Sequence, residues 1–497
     1  MPFALRHLAK SVSVAALCAA APFAALAAGE VTFIQPVEPT GLDPTQDSPV
    51  AAGQVTWQNV FEGLVTIDRN AEIQPQLAES WEISEDGLTY TFHLRDGVTY
   101  HNGAAFDANV AKFSFDKLLG PDSTNGQKAL YAAVTSVDVV DDSTLTMTLS
   151  APNSDLLYWL GFPAAVIVEP TSAATNATAP VGTGPFKVDE WRMGDRVIMS
   201  AFDGYWGGRP ALDTVTARFI ADPQAQVAAL RSGQANVIAE LGAPELFAQF
   251  TSDANFTAHA GAGEMEVVAG MNNARPPFDD ARVRQALMMS IDRSALVEVV
   301  TSGLGTPIGA HFSPASPFYE DLTGVYTYDP EGAKALLAEA GYGDGFTFTF
   351  TVPNRTYAQR SAEIMQAFFQ QVGVTANIEI ADFPSAWVTQ VMTGRDFDMT
   401  IIGHAEPLDI NIYARHPYYF NYEDANFDAT IAAISAATTP EARAEGYQAA
   451  QEIIASTVPA LFLYSNPKLG VWSAGLEGVW ENGPVPSNDM TDVRWAE

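Results

Sequence analysis

The chain has 497 residues, 59 of them acidic and 25 basic, a formal charge of −34, and one cysteine, Cys18. This balance excludes nucleic acid and anionic membrane surfaces as partners, since both would repel it. A lone cysteine near the start excludes a disulfide framework and any multi-cysteine metal centre, while the length is enough for two or three domains.

In chain order the first element is a leader. Arg6, His7 and Lys10 give a basic start, Ser11 to Leu26 is apolar and small, and Ala25-Leu26-Ala27 is a small-x-small cleavage motif. Residues 1–27 are therefore expected to be a signal peptide. Val31 to Ile34 then reads as a short strand. Tyr90, Phe92 and Leu94 alternate with Thr91, His93 and Arg95, the period of a half-buried strand. Ser136–Val140 and Leu145–Leu149 flank Asp141-Asp142-Ser143 and read as a hairpin. Asp222-Pro223 and Asp329-Pro330 each start a helix with a cap and an N1 proline, and Gly233 and Gly341 close them. Phe346, Phe348 and Phe350 alternate as a strand, and Met365, Phe368, Phe369 and Val372 fall at helical spacing. Strands and helices mix throughout without a fixed repeat, which predicts an α/β protein.

Five motifs go further. They are Gly41-Leu42-Asp43-Pro44, Val60-Phe61-Glu62-Gly63-Leu64-Val65, PQLAESWEISEDGLTYTFHLRDGVTYHNG from Pro75 to Gly103, VGTGPFKVDEW from Val181 to Trp191, and NNARPPFDDARVRQALMMSIDR from Asn272 to Arg293. In this order they resemble the large solute-binding proteins of ABC importers, the dipeptide-, oligopeptide- and nickel-binding family 5. Glycines around Thr183 suit a tight crossover but lack the spacing of a phosphate loop. Asp279-Asp280 reads as a helix start.

The resemblance implies a two-lobed periplasmic clamp of the class II type. Residues 28–66, 181–270 and 470–497 would form lobe I, residues 67–180 an inserted subdomain, and residues 271–469 lobe II. A peptide or other small solute would lie between the lobes, and the closed form would dock on an ABC permease of the inner membrane. A monomer without a cofactor or nucleic-acid partner is expected.

Candidate site residues concentrate in GHAEPLDINIYARHPYYF, Gly403 to Phe420. Asp409 matches the position whose carboxylate, in peptide-binding relatives, pairs with the ligand α-ammonium. His404 stands where such relatives usually present tryptophan, and Glu406 replaces a small or neutral residue. These departures favour a ligand that is cationic or rich in hydrogen-bond donors. Arg355, with Arg360 as its competitor, matches an arginine that holds a ligand carboxylate. Trp387 is a candidate to stack on the ligand, and Asp47 to face the cleft. Tyr413, Tyr418 and Tyr419 either line the pocket or pack beneath the loop. A metal or metal-chelate carrier, with His404 and His416 as ligands beside Glu406 and Asp409, is one alternative. A secreted hydrolase is another, although neither Gly-x-Ser-x-Gly nor His-Glu-x-x-His occurs.

Overall fold

Two long antiparallel strands, Phe256–Met271 and Ala460–Ser473, carry the architecture. The computed structural model describes residues 29–46 and 49–496, so the leader and Asp47 lie outside the described residues. The long strands pair along nearly their whole length, but the register breaks between Ala262 and Glu266. On one side of that break the sheet continues through Val237–Ile238, Glu30–Gln35, Thr214–Phe219, Arg196–Ala201 and Phe186–Arg192. On the other side it continues through Met399–His404, Phe346–Pro353 and Val374–Ala381. One sheet of eleven strands thus has two halves joined by two crossover strands.

Each half is built by parallel pairing that needs a covering helix. Phe346–Pro353 runs parallel to Val374–Ala381, and helix Thr356–Gln371 makes the crossover. Its buried residues Ala358, Ala362, Met365 and Phe369 form one stripe, which explains why the apolar residues recur at helical spacing. In the other half Glu30–Gln35 is parallel to Thr214–Phe219, and helix Pro223–Arg231 follows. Asp222 and Asp329 accept backbone N–H groups from Ala225 and Gly332, as N-caps do. Gly233 and Gly341 both adopt positive φ just beyond the helix ends.

Residues 78–149 form a separate four-stranded antiparallel sheet, covered by helix Ala108–Leu119. Tyr90, Phe92 and Leu94 are its buried side, and Asp141 accepts the Ser143 N–H in the expected hairpin turn. The segment that follows this sheet touches the second half of the molecule. Asp155 accepts hydrogen bonds from Arg443 Nε at 2.7 Å and from the Tyr447 hydroxyl at 2.9 Å, and Ser154 donates to the Ile434 carbonyl at 2.7 Å. Arg443 and Tyr447 lie on helix Pro440–Thr457.

Two of the sequence motifs lock together beneath the first half. Glu62 is fully buried and accepts from the Thr183 hydroxyl at 2.7 Å, the Tyr205 hydroxyl at 3.0 Å and the Trp206 indole N–H at 2.9 Å. Burial raises its pKa, and these three donors oppose the rise. The Val60 carbonyl accepts the Gly184 N–H, so the two segments also join through the backbone.

Candidate functional site

A cleft enclosing about 1090 Å³ of solvent-open space lies where the halves meet. Gln54, Glu240 and Asn488 line it from the first half, Glu406 from the second, and Glu264 and Lys468 from the two crossover strands. The register break in Phe256–Met271 spans Glu264, and such irregularities re-aim side chains beside binding sites.

Behind the Glu406 wall is a buried polar chain. Strand Met399–His404 delivers His404 at its end, Leu408 takes a left-handed conformation, and Asp409 opens a short 3-10 helix that also carries Tyr413. Asp409 therefore turns back onto His404. Its carboxylate meets His404 Nδ1 at 3.0 Å and His311 Nε2 at 2.8 Å. The remaining nitrogens meet Tyr419 Oη at 2.9 Å and Tyr413 Oη at 3.1 Å. One proton assignment satisfies every group. Each neutral imidazole donates its N–H to Asp409, and each tyrosine hydroxyl donates to the other ring nitrogen.

Burial by itself would raise the Asp409 pKa, but His311 and His404 hold the carboxyl well below its usual range. Burial lowers the His311 pKa, against the pull of Asp409. Both shifts destabilise the fold in acid. A histidine whose folded pKa is depressed binds more protons when unfolded, so its contribution is lost as pH falls below about 6.5. The Asp409 contribution is lost lower still, below the ordinary carboxylate range. His311→Gln is therefore expected to flatten the decline in unfolding midpoint between pH 7 and pH 5. Parallel declines in the variant and the native chain would show that His311 does not titrate with unfolding.

The structure separates the sequence candidates. Asp409, His404 and Tyr413 come together, but all are buried, and Asp409 is already sealed by two imidazoles. Glu406 is exposed on the cleft. Trp387 corrects the stacking expectation: it is 3% exposed, packs beside Phe383 and Tyr419, and donates its indole N–H to Thr400 at 2.8 Å. The Arg355 guanidinium lies 4.8 Å over the Phe383 ring, and the side chain is exposed, as is Arg360. Neither makes an ion pair with a described residue. Tyr419 packs beneath the loop and Tyr418 is half-buried, while Asp47 lies outside the described residues.

The metal pair of the alternative reading, His404 and His416, does not come together. His416 is exposed and meets Asp428 at 3.0 Å. The companion of His404 is His311, 98 residues before Asp409 in sequence, and His311, His404 and Asp409 offer donor atoms within 4.8 Å of one another. That donor set suits a first-row metal, but every ring nitrogen already has a partner. Glu240, Glu264 and Lys468 also escape sequence reasoning, because isolated charges on strands, as at Glu264 and Lys468, or just after one, as at Glu240, look like solvated edges.

Similarity to known proteins follows the same architecture. The model of the middle region of the bacterial extracellular solute-binding proteins, family 5, matches residues 72–426. The chain is 31% identical over 484 residues to the glutathione-binding protein GsiB of Salmonella paratyphi A, covering 93% of each. It superposes on HbpA2 from Haemophilus parasuis with a TM-score of 0.87 at 26% identity, over 94% of this chain and 100% of that one. It is also similar to the periplasmic binding protein DppA from Helicobacter pylori in complex with the peptide STSA. That match has a TM-score of 0.76 and 25% identity, over 94% and 98% of the two chains.

Proposed function

This chain belongs to family 5 of the bacterial extracellular solute-binding proteins, and we propose that it captures a small peptide-like or other polar solute in its inter-lobe cleft. It is the substrate-binding component of an ABC importer and hands its solute to the membrane permease. Among the described residues no helix is long and apolar enough to cross a membrane. The observation that carries the reading is the cleft at the crossover strands, lined from both halves of the sheet. Closure about two strands buries a solute between rigid halves without bond-making. The relatives that support a peptide-like ligand bind glutathione or a short peptide.

In this reading the protein works as a monomer and performs no chemistry on the solute. Arg355 is the candidate partner for a solute carboxylate, since its planar fork suits one. Asp409 acts from behind the wall by fixing the imidazole of His404, rather than meeting the solute directly. Mass spectrometry of whatever co-purifies with the protein tests the reading. A single small solute, bound at one equivalent and released unchanged, is expected; conversion of the released compound would make the protein an enzyme and overturn the reading. A metal or metal-chelate ligand is the second reading, since the His311, His404 and Asp409 donor atoms lie within 4.8 Å of one another, and binding there would displace their present hydrogen bonds. Equilibrium dialysis against nickel and zinc decides it, because loss of all metal on washing removes that alternative.

A further inference from the structure

We propose that Gln54 determines specificity in the cleft by donating its amide N–H groups to an uncharged acceptor oxygen of the solute, such as a peptide carbonyl. This inference rests on the cleft being the solute site and names the group that its first-half wall reads.

Gln54 lies on helix Pro49–Thr56, is half-buried, and lines the cleft together with Gln35 and Asn488. These three amides form a chain with a single direction. Asn488 Nδ2 lies 3.1 Å from the Gln54 main-chain carbonyl, which can only accept, so the nitrogen of the Asn488 amide must face it. The same nitrogen donates to Gln35 Oε1 at 3.1 Å. That contact orients the Gln35 amide in turn, and its Nε2 donates to Gln54 Oε1 at 2.6 Å. Reversing any one of the three sets two donors or two acceptors face to face. Gln54 Oε1 is thereby spent, and Nε2, with both its protons, is left for the cleft. No described residue accepts from it.

The chain is held from behind. Asn59 Nδ2 donates to the Val55 carbonyl at 3.1 Å and to the Asn488 carbonyl at 2.9 Å, and Asn59 Oδ1 accepts the Met490 N–H at 2.9 Å. The helix that carries Gln54 is thus tied to the segment that carries Asn488. Asn59 is fully buried and Gln35 is 1% exposed, so water hardly competes for these contacts. A donor oriented before the solute arrives loses little freedom on binding. Charge decides which acceptor it takes. Glu240, Glu264 and Glu406 line the same cleft, against one base among the described lining residues, Lys468. An anionic acceptor would meet that field unfavourably, whereas a carbonyl oxygen takes the N–H without bringing a charge.

Isothermal titration calorimetry at pH 7.5 with Ala-Ala, Ala-Lys and glutathione first identifies the tightest of the three. A double-mutant cycle with that compound then tests the inference. Gln54→Met is expected to weaken binding about tenfold, the effect of leaving a desolvated acceptor without its donor. Gln35 is a positioning residue that acts through Gln54. In Gln35→Glu one carboxylate oxygen still accepts from Asn488, but the other now faces Gln54, so the Gln54 amide must turn and present Oε1 to the cleft. A loss of about tenfold or more is again expected. In the Gln54→Met background, Gln35→Glu should change affinity less than about twofold, because no amide remains to be turned. That arm also reads any effect of the added charge by itself. Unchanged affinity in Gln54→Met or in Gln35→Glu overturns the inference, and so do losses that simply add. If Gln35→Glu unfolds at a lower urea concentration, Gln54→Glu takes its place, since it keeps the acceptor for Gln35 and loses the donor; unchanged affinity there overturns the inference too. Binding of none of the three compounds to the native chain overturns both the inference and the peptide-like reading beneath it.

Discussion

The Asp155→Ala variant is expected to bind its solute at least about thirtyfold more weakly, the lower end for truncating one partner of a buried, hydrogen-bonded charge pair. The ligand-free protein should nevertheless unfold at nearly the same denaturant concentration. Asp155 and Arg443 are only 14% and 12% exposed where they meet. Tyr447 donates to the same carboxylate, and the Arg443 guanidinium lies 4.7 Å over Phe318. Removing the carboxylate leaves a desolvated guanidinium with less than it needs. These contacts join the segment before helix Leu156–Leu160 to helix Pro440–Thr457 of the second half. A parting of the halves that broke this contact would return Arg443 to water and remove the penalty. The substitution therefore disfavours the closed state and hardly touches the folded open one. Calorimetry on the co-purified solute, with urea unfolding of the ligand-free protein, separates the two effects. An equal loss of stability and affinity would make Asp155 a core residue rather than a closure contact.

Gly182→Ala is expected to cost about 3 kcal/mol, the upper end for overpacking a well-filled site. A Cβ at Gly182 would lie 1.8 Å from the Val60 carbonyl oxygen and 2.7 Å from its carbon. Those atoms are backbone, so no rotamer relieves the clash. The same carbonyl accepts the Gly184 N–H at 3.0 Å, which holds it in place. Next to it, Thr183 donates to Glu62, so the strain would spread into a buried carboxylate with no water to replace lost donors. Urea unfolding of the variant measures the cost. A loss below about 1 kcal/mol would mean that the Val60–Glu62 segment shifts freely, contrary to the tight backbone packing expected of a protein interior.

Local rules made much of the fold legible. Asp222-Pro223 and Asp329-Pro330 begin helices because the cap and the fixed proline φ act over one turn. Tyr90, Phe92 and Leu94 bury one side because a strand has a period of two. Glu62 and Thr183 belong to separate motifs of the chain, and a hydrogen bond joins them in the fold. Strand Phe346–Pro353 departs from its expected alternation: from Phe350 onward every residue is buried, because the strand enters the interior of a parallel sheet with both faces covered.

The candidate site was less legible. Its loop was visible as a density of titratable and aromatic residues from Gly403 to Phe420, and Glu406 does reach the cleft. The roles within it were not visible. Trp387 is a core residue because Thr400 satisfies its indole, and His416 points to Asp428. His311 has no local signal at all, since it lies on a different stretch of chain and meets Asp409 only after folding.

By itself the sequence determined the fold class, the order of the elements and membership of the family, because capping, periodicity and motif order are properties of neighbouring residues. Tertiary structure alone decided that two imidazoles seal Asp409 and that Glu264 and Glu240 face the cleft beside Glu406. It also decided that Asp155 bridges to Arg443. Electrostatic roles depend on distances between side chains far apart in the chain and on how much water is removed around them. Neither quantity exists until the sheet has brought its two halves together.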